Sequence, residues 1–315
     1  MAQGSVSLGE AHVPVGEVLR DLRMLKNPLA VLYGILRRRS TPVRLRRGDR
    51  FTLPGSTRIG ALKVLRLACS YGATVVCPKD WEPGFTWAVD PVTRTLRTPS
   101  GIRFYHDSID TTVFAETFIN EIHNTGSDLT DKVVFDVGGF VGDTALYYAA
   151  GGAKVHTFEP DPENCAWLIK NVALNPELGR RIYVHNVALG SGGPVKLQTG
   201  RGSGSGVSGV ATKTTTEVKS LSLNAALEST GEVEPFLLKL DCKGCEVNLV
   251  QQEAVRKFQR VFVEYTYLPP SRDVSGKAIM EALRNHGFRR IRVYRSDPYP
   301  RPDPLVAHGM VDASR

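Results

Sequence analysis

Polar residues that can do binding or acid–base chemistry accompany five short apolar runs in the middle of the chain. These residues are Asp136, Glu159, Asn186, Asp241 and Glu264. Carboxylates bind cations, accept hydrogen bonds from hydroxyls and take up protons. If the apolar runs are strands of a parallel sheet, their carboxyl ends meet at one edge, where α/β proteins bind ligands. The pattern therefore predicts a binding or catalytic site at that edge.

The first two of these runs frame a glycine-rich turn. Val133–Val137 is followed by Gly138, Gly139 and Gly142, and Asp143 then opens a helical stretch. The second run ends in an acid about 20 residues further on, which is the spacing of a nucleotide-binding strand–helix–strand unit. The segment is therefore expected to form a nucleotide-binding crevice.

The details of this turn favour S-adenosyl-L-methionine over other nucleotides. The glycines are spaced G-G-x-x-G, unlike the G-x-G-x-x-G of dinucleotide sites, and no G-K-[ST] ending of a triphosphate cradle follows. The Asp136 carboxylate would repel a pyrophosphate but attract a sulfonium or an ammonium. Glu159 is placed to accept hydrogen bonds from the ribose hydroxyls. A Rossmann-like unit with an NAD-type ligand, or with none, is the alternative.

Five segments of the chain resemble the FkbM family of S-adenosylmethionine-dependent methyltransferases. In chain order they are DVGGFVGD (136–143), TFEPDPENCAWLIKNVALN (157–175), VHNVALG (184–190), VKSLSL (218–223) and LLKLDCKGCEVNLV (237–250). The resemblance extends over Phe114–Glu264 and implies methyl transfer, commonly to a hydroxyl. The chain departs from the family at Gly139-Phe140, where Ala-Asn is common, and at Lys243, where Glu is common.

The crevice and the resemblance together predict the cofactor contacts. The resemblance places Asn186 at the edge of the adenine and Val187 on its face, although a simple turn residue is the alternative for Asn186. Glu116 is a candidate contact of the cofactor's amino end, with an ordinary exposed helix carboxylate as the alternative. The predicted set is Asp136, Gly138, Gly139, Phe140, Gly142, Asp143, Glu159, Pro160, Asn186, Val187, Ala188 and Glu116.

Two acids are the candidate catalytic residues, because a hydroxyl acceptor needs a carboxylate beside it. Asp241 follows one apolar strand directly, and Glu264 ends the next. Lys243 lies close to Asp241 in sequence and should keep it ionised, which suits a group that orients the acceptor or the methionine end of the cofactor. Glu264 is then the alternative base. That both acids merely cap loops is the other interpretation.

Cysteine and histidine spacing predicts no metal site. Cys242 and Cys245 form a single CxxC, whereas a structural zinc needs two more ligands at similar spacing. The pair is interpreted as two small apolar side chains at a strand-to-helix corner, with a reversible disulfide as the alternative. The seven histidines are scattered, and none is paired with an acid at ligand spacing.

Charge and apolar patterning bound the class of protein. Residues 1–60 carry +7 of the total charge of +8, so the basicity belongs to an N-terminal arm. Its densest part, residues 37–50, is interpreted as a basic strand with Val43 and Leu45 packed inward; RNA or an anionic membrane surface are the alternatives. No stretch approaches the ~18 apolar residues that cross a bilayer, and no signal layout is evident, so a cytoplasmic protein is expected.

The fold class predicted is α/β, a Rossmann-like seven-stranded methyltransferase sheet with an N-terminal mixed α/β appendage. Residues 1–130 are assigned to the basic arm and appendage, and residues 131–315 to the S-adenosylmethionine-binding domain. The glycine- and serine-rich residues 199–220 are interpreted as a mobile flap or a plain surface loop. The expected acceptor is a hydroxyl of a small molecule, sugar or lipid; an RNA methyltransferase and a non-catalytic cofactor-binding module are the alternatives.

Overall fold

A computed structural model describes most of the chain in two compact units, Met1–Glu121 and Ile122–Arg315. The described residues are 5–7, 12–39, 41–46, 50–53, 61–62, 65, 69, 75–76, 87–90, 93–98, 100–118, 121–198, 206–207, 215–266, 275–294 and 308–315. Most of the predicted flap at residues 199–220 lies outside them. The domain boundary expected after residue 130 stays a prediction.

The first unit mixes short strands with helices. Its helices are α1 (Val15–Arg23), α2 (Pro28–Arg37) and α3 (Thr111–Phe118), and its strands are β1 (Ser5–Ser7), β2 (His12–Pro14), β3 (Thr41–Arg44), β4 (Arg50–Leu53), β5 (Val75–Val76), β6 (Trp87–Asp90), β7 (Thr95–Arg97) and β8 (Arg103–Tyr105). Strands β3 and β4 pair antiparallel, and β5 to β8 form a four-stranded sheet.

The basic segment of the first unit has an apolar inner side. Val43 on β3 and Leu45 just after it are almost fully buried, whereas Arg44 and Arg46 are exposed. This alternation is the period of a strand with one solvated face. The inward packing predicted for Val43 and Leu45 is therefore confirmed.

The second unit is built around a large sheet. Its strands are β9 (Val133–Val137), β10 (Lys154–Phe158), β11 (Ile182–His185), β12 (Ala188–Leu189), β13 (Val195–Gln198), β14 (Gly206–Val207), β15 (Thr215–Val218), β16 (Ser220–Leu221), β17 (Leu237–Leu240), β18 (Arg260–Thr266), β19 (Arg290–Tyr294) and β20 (His308–Ser314). The central sheet has seven strands in the order β11-β10-β9-β17-β18-β20-β19. In this sheet β20 runs in the direction opposite to that of the other six strands.

This order is 3-2-1-4-5-7-6 when the seven strands are counted along the chain. The chain reverses its direction of winding between the first and fourth strands, β9 and β17, which lie side by side. Doubly wound sheets bind ligands at such a switch point, outside the carboxyl ends of the strands. The predicted seven-stranded α/β fold is confirmed, and it brings the two ligand-side loops of β9 and β17 together.

Helices follow the parallel strands, as continuous connections between them require. They are α4 (Asp143–Ala150), α5 (Pro162–Ala173), α6 (Pro176–Gly179), α7 (Leu223–Thr230), α8 (Glu246–Val250) and α9 (Ser275–Asn285). Helix α5 begins as its sequence indicates, because the Asp161 carboxylate accepts the amide hydrogens of Glu163 and Asn164 and Pro162 takes the first turn. No helix within the described residues is long and apolar enough to cross a membrane.

The two faces of the central sheet differ in character. One face carries Phe135, Leu238 and Val261 in a single row of paired residues, and it belongs to the main hydrophobic core. The next row along the strands presents Asp136, Lys239 and Phe262 to the opposite face. All of these side chains are fully buried or nearly so. A buried charge pair therefore lies in the middle of the sheet, directly below the switch point.

Candidate active site

The glycine turn after β9 is shaped by close backbone approaches. Gly138 has φ of 87°, and a Cβ placed on it would overlap the carbonyl oxygen of Asp241. A Cβ on Gly139 would overlap the hydroxyl of Thr157 instead. The backbone amides of both glycines donate hydrogen bonds to the carbonyl oxygen of Phe158. The turn therefore needs glycine at both positions, which gives a physical reason for Gly139 where the family commonly has Ala.

Phe140 adopts a conformation that its side chain disfavours. Its φ is 44°, in the left-handed region that glycine and asparagine enter most easily. The compensation is local, because the amide of Phe140 donates a 2.8 Å hydrogen bond to Oε2 of Glu159. A strained residue at this point of the turn is consistent with a functional loop.

Asp136 is paired inside the protein. It is fully buried, and the Lys239 ammonium lies 3.0 Å from its Oδ1. Its Oδ2 accepts hydrogen bonds from the hydroxyls of Thr144 (2.9 Å) and Thr157 (3.1 Å). The Lys239 ammonium also donates to the carbonyl oxygen of Gly138 at 3.0 Å. The pair thus anchors the glycine turn from below.

This pairing corrects one premise of the sequence argument. There the Asp136 carboxylate is treated as a negative charge that attracts the cofactor, and the neutralising cation of Lys239 is left out. Burial disfavours the Lys239 cation, but the carboxylates of Asp136, Asp241 and Asp143 outweigh it and raise the pKa of Lys239 to about 12. The ammonium is therefore charged and balances Asp136. The assignment of Asp136 as a cofactor contact stays a prediction, without the charge argument.

Glu159 lies at the tip of β10 with both carboxylate oxygens already in use. Oε2 accepts from the amide of Phe140, and Oε1 accepts from the amide of Asp161 at 2.9 Å. The side chain is only 5% exposed, and burial raises its pKa to about 7 against the pull of these hydrogen bonds. A carboxylate has about four acceptor positions, so Glu159 can still accept from hydroxyl groups.

The segment after β11 supports this acid. The side-chain amide of Asn186 donates to the carbonyl oxygens of Glu159 (2.8 Å) and Pro160 (3.3 Å). Val187 is half-buried, and Ala188 is buried where β12 begins. Asn186 is thus a positioning residue for the Glu159 loop. The cofactor contacts predicted for Pro160, Asn186, Val187 and Ala188 stay predictions.

The remaining predicted cofactor residues divide between the two units. Gly142 has φ of 90° and caps the amino end of α4, and Asp143 is buried in the first turn of that helix. Both belong to the loop that also carries the strained Phe140. Glu116 lies half-buried on α3 in the first unit. Its assignment to the cofactor's amino end stays a prediction.

Asp241 and Glu264, the two predicted catalytic acids, are joined by one lysine. The Lys243 ammonium donates to Oδ1 of Asp241 at 2.6 Å and to Oε1 of Glu264 at 3.1 Å. Burial lowers the pKa of Lys243, but the two carboxylates raise it by more, so the net shift is upward. The ammonium therefore stays charged. Proximity of Lys243 to Asp241 is confirmed; its contact with Glu264 was not predicted.

The loop that carries Asp241 and Lys243 is closed by a disulfide. Cys242 and Cys245 are bonded to each other, with 5.6 Å between their Cα atoms. The interpretation as two unbonded apolar side chains was wrong, because the turn between β17 and α8 brings the two cysteines within disulfide distance. The alternative, a disulfide, is what the fold contains.

His123 also lies near these charges, and sequence reasoning missed it. It is 3% exposed and packs edge-on against the ring of Phe262, with 5.7 Å between ring centroids. Burial, and then the Lys239 cation, lower its pKa to about 4, so the imidazole is neutral. Its Nδ1 has no hydrogen-bond partner among the described residues. No sequence motif marks His123 as part of the site. Lys239 could have been found, because a charged residue within an apolar strand indicates a buried partner.

No group of three or more His, Cys, Asp or Glu side chains in the described part of the chain is arranged to hold a metal ion. The polar groups at this edge of the sheet are carboxylates, lysines and backbone amides. These groups bind hydroxyls and charged ligands directly.

A doubly wound sheet with a glycine turn and strand-tip acids at its switch point defines the class of nucleotide-binding α/β enzymes. Residues 136–290 match the methyltransferase FkbM domain, so the chain carries a domain of this family. The protein is thus an S-adenosylmethionine-dependent methyltransferase, and the resemblance seen in its sequence segments is confirmed. The match begins at Asp136 and includes Glu159, Asn186, Asp241 and Glu264. The expectation that Glu264 ends its strand was wrong, because β18 continues to Thr266 by pairing with β20.

Comparisons with individual proteins add less. No curated protein matches the chain in sequence. Among solved structures, a precorrin-6Y C5,15-methyltransferase from Geobacter metallireducens is 11% identical, with a TM-score of 0.39, over 65% of this chain and 89% of that one. The METTL16 methyltransferase domain is 13% identical, with a TM-score of 0.41, over 91% and 90% of the two chains. Because these scores are low, the strand order and the family match carry the assignment.

Proposed function

We propose that this enzyme binds S-adenosyl-L-methionine across the β9–β10 crevice and methylates a hydroxyl of a small molecule, sugar or lipid. The observation that carries the cofactor proposal is the buried Glu159, which two backbone amides hold beside the glycine turn. Burial leaves this carboxylate poorly solvated, as its raised pKa indicates. Hydroxyl donors would restore that solvation, and the cofactor's ribose supplies two of them.

The glycine turn is the part of the described geometry that supports the proposed cofactor contacts. Gly138 and Gly139 have no side chains, so their backbone allows close approach of the cofactor. The side-chain oxygen of Asn186 is a hydrogen-bond acceptor and could accept from the adenine amino group. The proposed set within the second unit comprises Asp136, Gly138, Gly139, Phe140, Gly142, Asp143, Glu159, Pro160, Asn186, Val187 and Ala188. S-adenosylmethionine supplies an activated methyl group when bound.

Asp241, Lys243 and Glu264 are proposed to form the acceptor side. An ionised Asp241 can accept a hydrogen bond from the acceptor hydroxyl and orient its oxygen, which is the positioning part of catalysis. Lys243 makes a shorter contact with Asp241 (2.6 Å) than with Glu264 (3.1 Å). Asp241, the more tightly paired acid, is assigned to orientation, and Glu264 is the alternative for proton uptake. The half-exposed position of Asp241 and Lys243 suits contact with a substrate.

Methylation of RNA through the basic arm is the second candidate. The exposed Arg44 and Arg46 favour it, because phosphate contacts come from such side chains. The inward packing of Val43 and Leu45 shows that this strand also has a structural task. Salt-dependent RNA binding that disappears after Arg44→Ala and Arg46→Ala would support the RNA alternative.

Calorimetry with the cofactor tests the main proposal. We expect S-adenosylmethionine and S-adenosylhomocysteine to bind and NAD not to bind. Glu159→Ala should weaken cofactor binding by about 1.5–3 kcal/mol, the range for a hydrogen bond to a charged group. Glu163→Ala is the matched control, because Glu163 is an exposed acid four residues further on.

The result for Glu159→Ala decides the cofactor site, and a second assay decides the reaction. Wild-type affinity in that variant would contradict the proposed ribose contact. Labelled S-adenosylmethionine incubated with fractionated small molecules, glycans and lipids should transfer label to a hydroxyl-bearing product. Cofactor binding without transfer to any fraction would favour the non-catalytic module.

A further inference from the structure

The disulfide between Cys242 and Cys245 encloses the lysine that joins the two candidate catalytic acids. Only Lys243 and Gly244 lie between the bonded cysteines. Cys242 is half-exposed, whereas Cys245 is buried. Cys242 is thus the more accessible of the two bonded residues.

The backbone of this loop is in an unfavourable conformation. Lys243 has φ of 53° and Gly244 has φ of 132°, so a residue with a side chain adopts the left-handed region inside the disulfide ring. The Glu246 carboxylate holds the ring from the other side. It accepts the amide hydrogens of Cys242 (3.0 Å) and Gly244 (2.8 Å). A covalent link across these residues offsets the strain by limiting the alternatives open to the loop.

The ring conformation decides where Lys243 points. From its left-handed backbone, the Lys243 side chain reaches both acids. Its ammonium lies 2.6 Å from Oδ1 of Asp241 and 3.1 Å from Oε1 of Glu264. The Asp241 carbonyl oxygen also faces Gly138 so closely that a Cβ there would overlap it. A change in the ring would therefore act on the proposed acceptor side and press on the glycine turn.

We propose that Cys242–Cys245 is a thiol–disulfide exchange site whose oxidised form holds Lys243 between Asp241 and Glu264. The reductant is a dithiol. The functional role of this exchange site rests on the proposed function, because it assumes that Asp241, Lys243 and Glu264 form the acceptor side. The exchange chemistry itself does not.

The exchange balances in two steps. A thiolate of the dithiol attacks Sγ of half-exposed Cys242 and displaces the Cys245 thiolate, which takes up a proton. The second thiol of the reductant then attacks the mixed disulfide, closes its own disulfide and releases Cys242 as a thiol. The protein gains two electrons and two protons, and the dithiol loses them.

The other described cysteines do not compete in this exchange. Cys69 and Cys165 are buried thiols that form no disulfide. Burial, together with the charges of Glu159 and Asp161, raises the pKa of the Cys165 thiol to about 11. A thiol that stays protonated is a poor nucleophile. Exchange is thus confined to the CxxC pair among the cysteines that the structure describes.

Reduction is expected to free the ring. Without the bond, Lys243 can leave the left-handed region, and its ammonium loses its double contact. The amides of Cys242 and Gly244 should then open more often. In a compartment kept reducing by dithiols, opening of the ring would make the acceptor side sensitive to the redox state. Disulfides in such compartments usually serve as redox sensors or catalytic groups.

Two measurements on the full chain without denaturant test the proposal. The first equilibrates the native protein with dithiothreitol over a range of concentrations, alkylates free thiols and maps the labels by mass spectrometry. Labels should appear on Cys242 and Cys245 while the fold, followed by circular dichroism, is unchanged. Cys69→Ser is the control and should give the same labelling of the pair.

The second measurement follows the position of Lys243. Brief acetylation with acetic anhydride should label Lys243 several-fold faster after reduction, whereas exposed Lys219 should be labelled equally in both states. Hydrogen exchange of the amides of Cys242 and Gly244 should rise about tenfold. The double variant with Cys242→Ser and Cys245→Ser should behave like the reduced protein; if it does not fold, the reduced wild type carries the test.

The outcomes separate this proposal from the proposed function. A disulfide that dithiothreitol reduces only when the protein unfolds would overturn the exchange site. Native reduction with unchanged Lys243 labelling and amide exchange would overturn the positioning of Lys243. Calorimetry with S-adenosylhomocysteine is done in parallel on the oxidised and the reduced protein. Failure to bind in both redox states would overturn the proposed function. The labelling result does not depend on that outcome, so it still tests the exchange site.

Discussion

The proposed cofactor side and the proposed acceptor side of this enzyme differ in how deeply their charged groups are buried. On the cofactor side, the side chains of Asp136 and Lys239 are at most 1% exposed and form an ion pair within the sheet. On the acceptor side, Lys243 joins Asp241, in the loop after β17, to the buried Glu264 of β18, and the Lys243 side chain is 30% exposed. A buried pair is part of the folded state and cannot be separated without destabilising it. The partly exposed Asp241 and Lys243 can exchange partners, so they are suited to meeting a substrate.

This comparison predicts that separating the buried pair on the cofactor side chiefly lowers stability, whereas removing a charge from the acceptor side chiefly lowers turnover. Stability lost on the acceptor side, or an unchanged stability after the buried pair is separated, would contradict it.

The largest effect is expected from Lys239→Met. It leaves the Asp136 carboxylate buried without its cation, which typically lowers the free energy of unfolding by about 3–5 kcal/mol. Chemical denaturation measures this. Adding Asp136→Asn to Lys239→Met removes the stranded charge and keeps an acceptor for the two threonine hydroxyls, so most of the loss should be recovered. A single variant as stable as the wild type would refute the assignment of the pair to the folded core.

Asp241→Asn should have the complementary effect. It keeps the shape of the side chain but removes the charge that orients the acceptor, and we expect turnover to fall by about 100-fold. Stability and cofactor affinity should change little, because Asp241 is partly exposed. Steady-state kinetics with an acceptor found by label transfer measures the effect, with thermal unfolding as the control. Wild-type turnover would exclude a catalytic part for Asp241.

The pH dependence of stability provides a smaller test on the cofactor side. The pKa of Glu159 is about 7 in the folded protein, against 4.5 as its ordinary value. The folded state therefore holds a proton that the unfolded state releases, and stability falls as pH rises between these values. From pH 5 to pH 7 the contribution of this group should fall by about 2 kcal/mol. Denaturant titrations of the wild type and Glu159→Gln measure the difference.

Cofactor binding should oppose this trend. Ribose hydroxyls favour the ionised Glu159, so affinity for S-adenosylhomocysteine should increase as pH rises through 7, and binding near pH 6.5 should release a proton. Calorimetry in buffers of different ionisation enthalpy detects the proton. In Glu159→Gln both the slope and the release should be absent; their persistence would assign them to another group.

The smallest effect is expected at Phe140. Phe140→Gly removes the left-handed strain of a residue with φ of 44°, and the released strain should exceed the entropy that glycine gains in the unfolded chain. A net stabilisation of about 0.5–1 kcal/mol is expected by chemical denaturation. Leu146→Gly, on the buried face of α4, is the contrasting control and should destabilise the protein. A less stable Phe140→Gly would show that packing of the ring outweighs the strain.

The sequence alone determined the fold class, the glycine turn and the order of the strand-tip acids. These features are local: Gly138 and Gly142 adopt positive φ because of their own backbone, and the acids follow apolar runs whose period and length indicate strands. The family segments added the methyltransferase activity. Such features can be predicted because each depends on residues that are neighbours in the chain.

Only the tertiary structure decided how the charges of the site are paired. Asp136 meets Lys239 because their strands are adjacent in the sheet, although 103 positions separate them in sequence. Lys243 reaches Glu264 because β17 and β18 pair in parallel, with Leu240 opposite Val263, so Glu264 is level with the start of the loop after β17. The disulfide likewise depends on the turn between β17 and α8. Pairing of this kind follows from distances in space, and a one-dimensional pattern of residue types does not contain them.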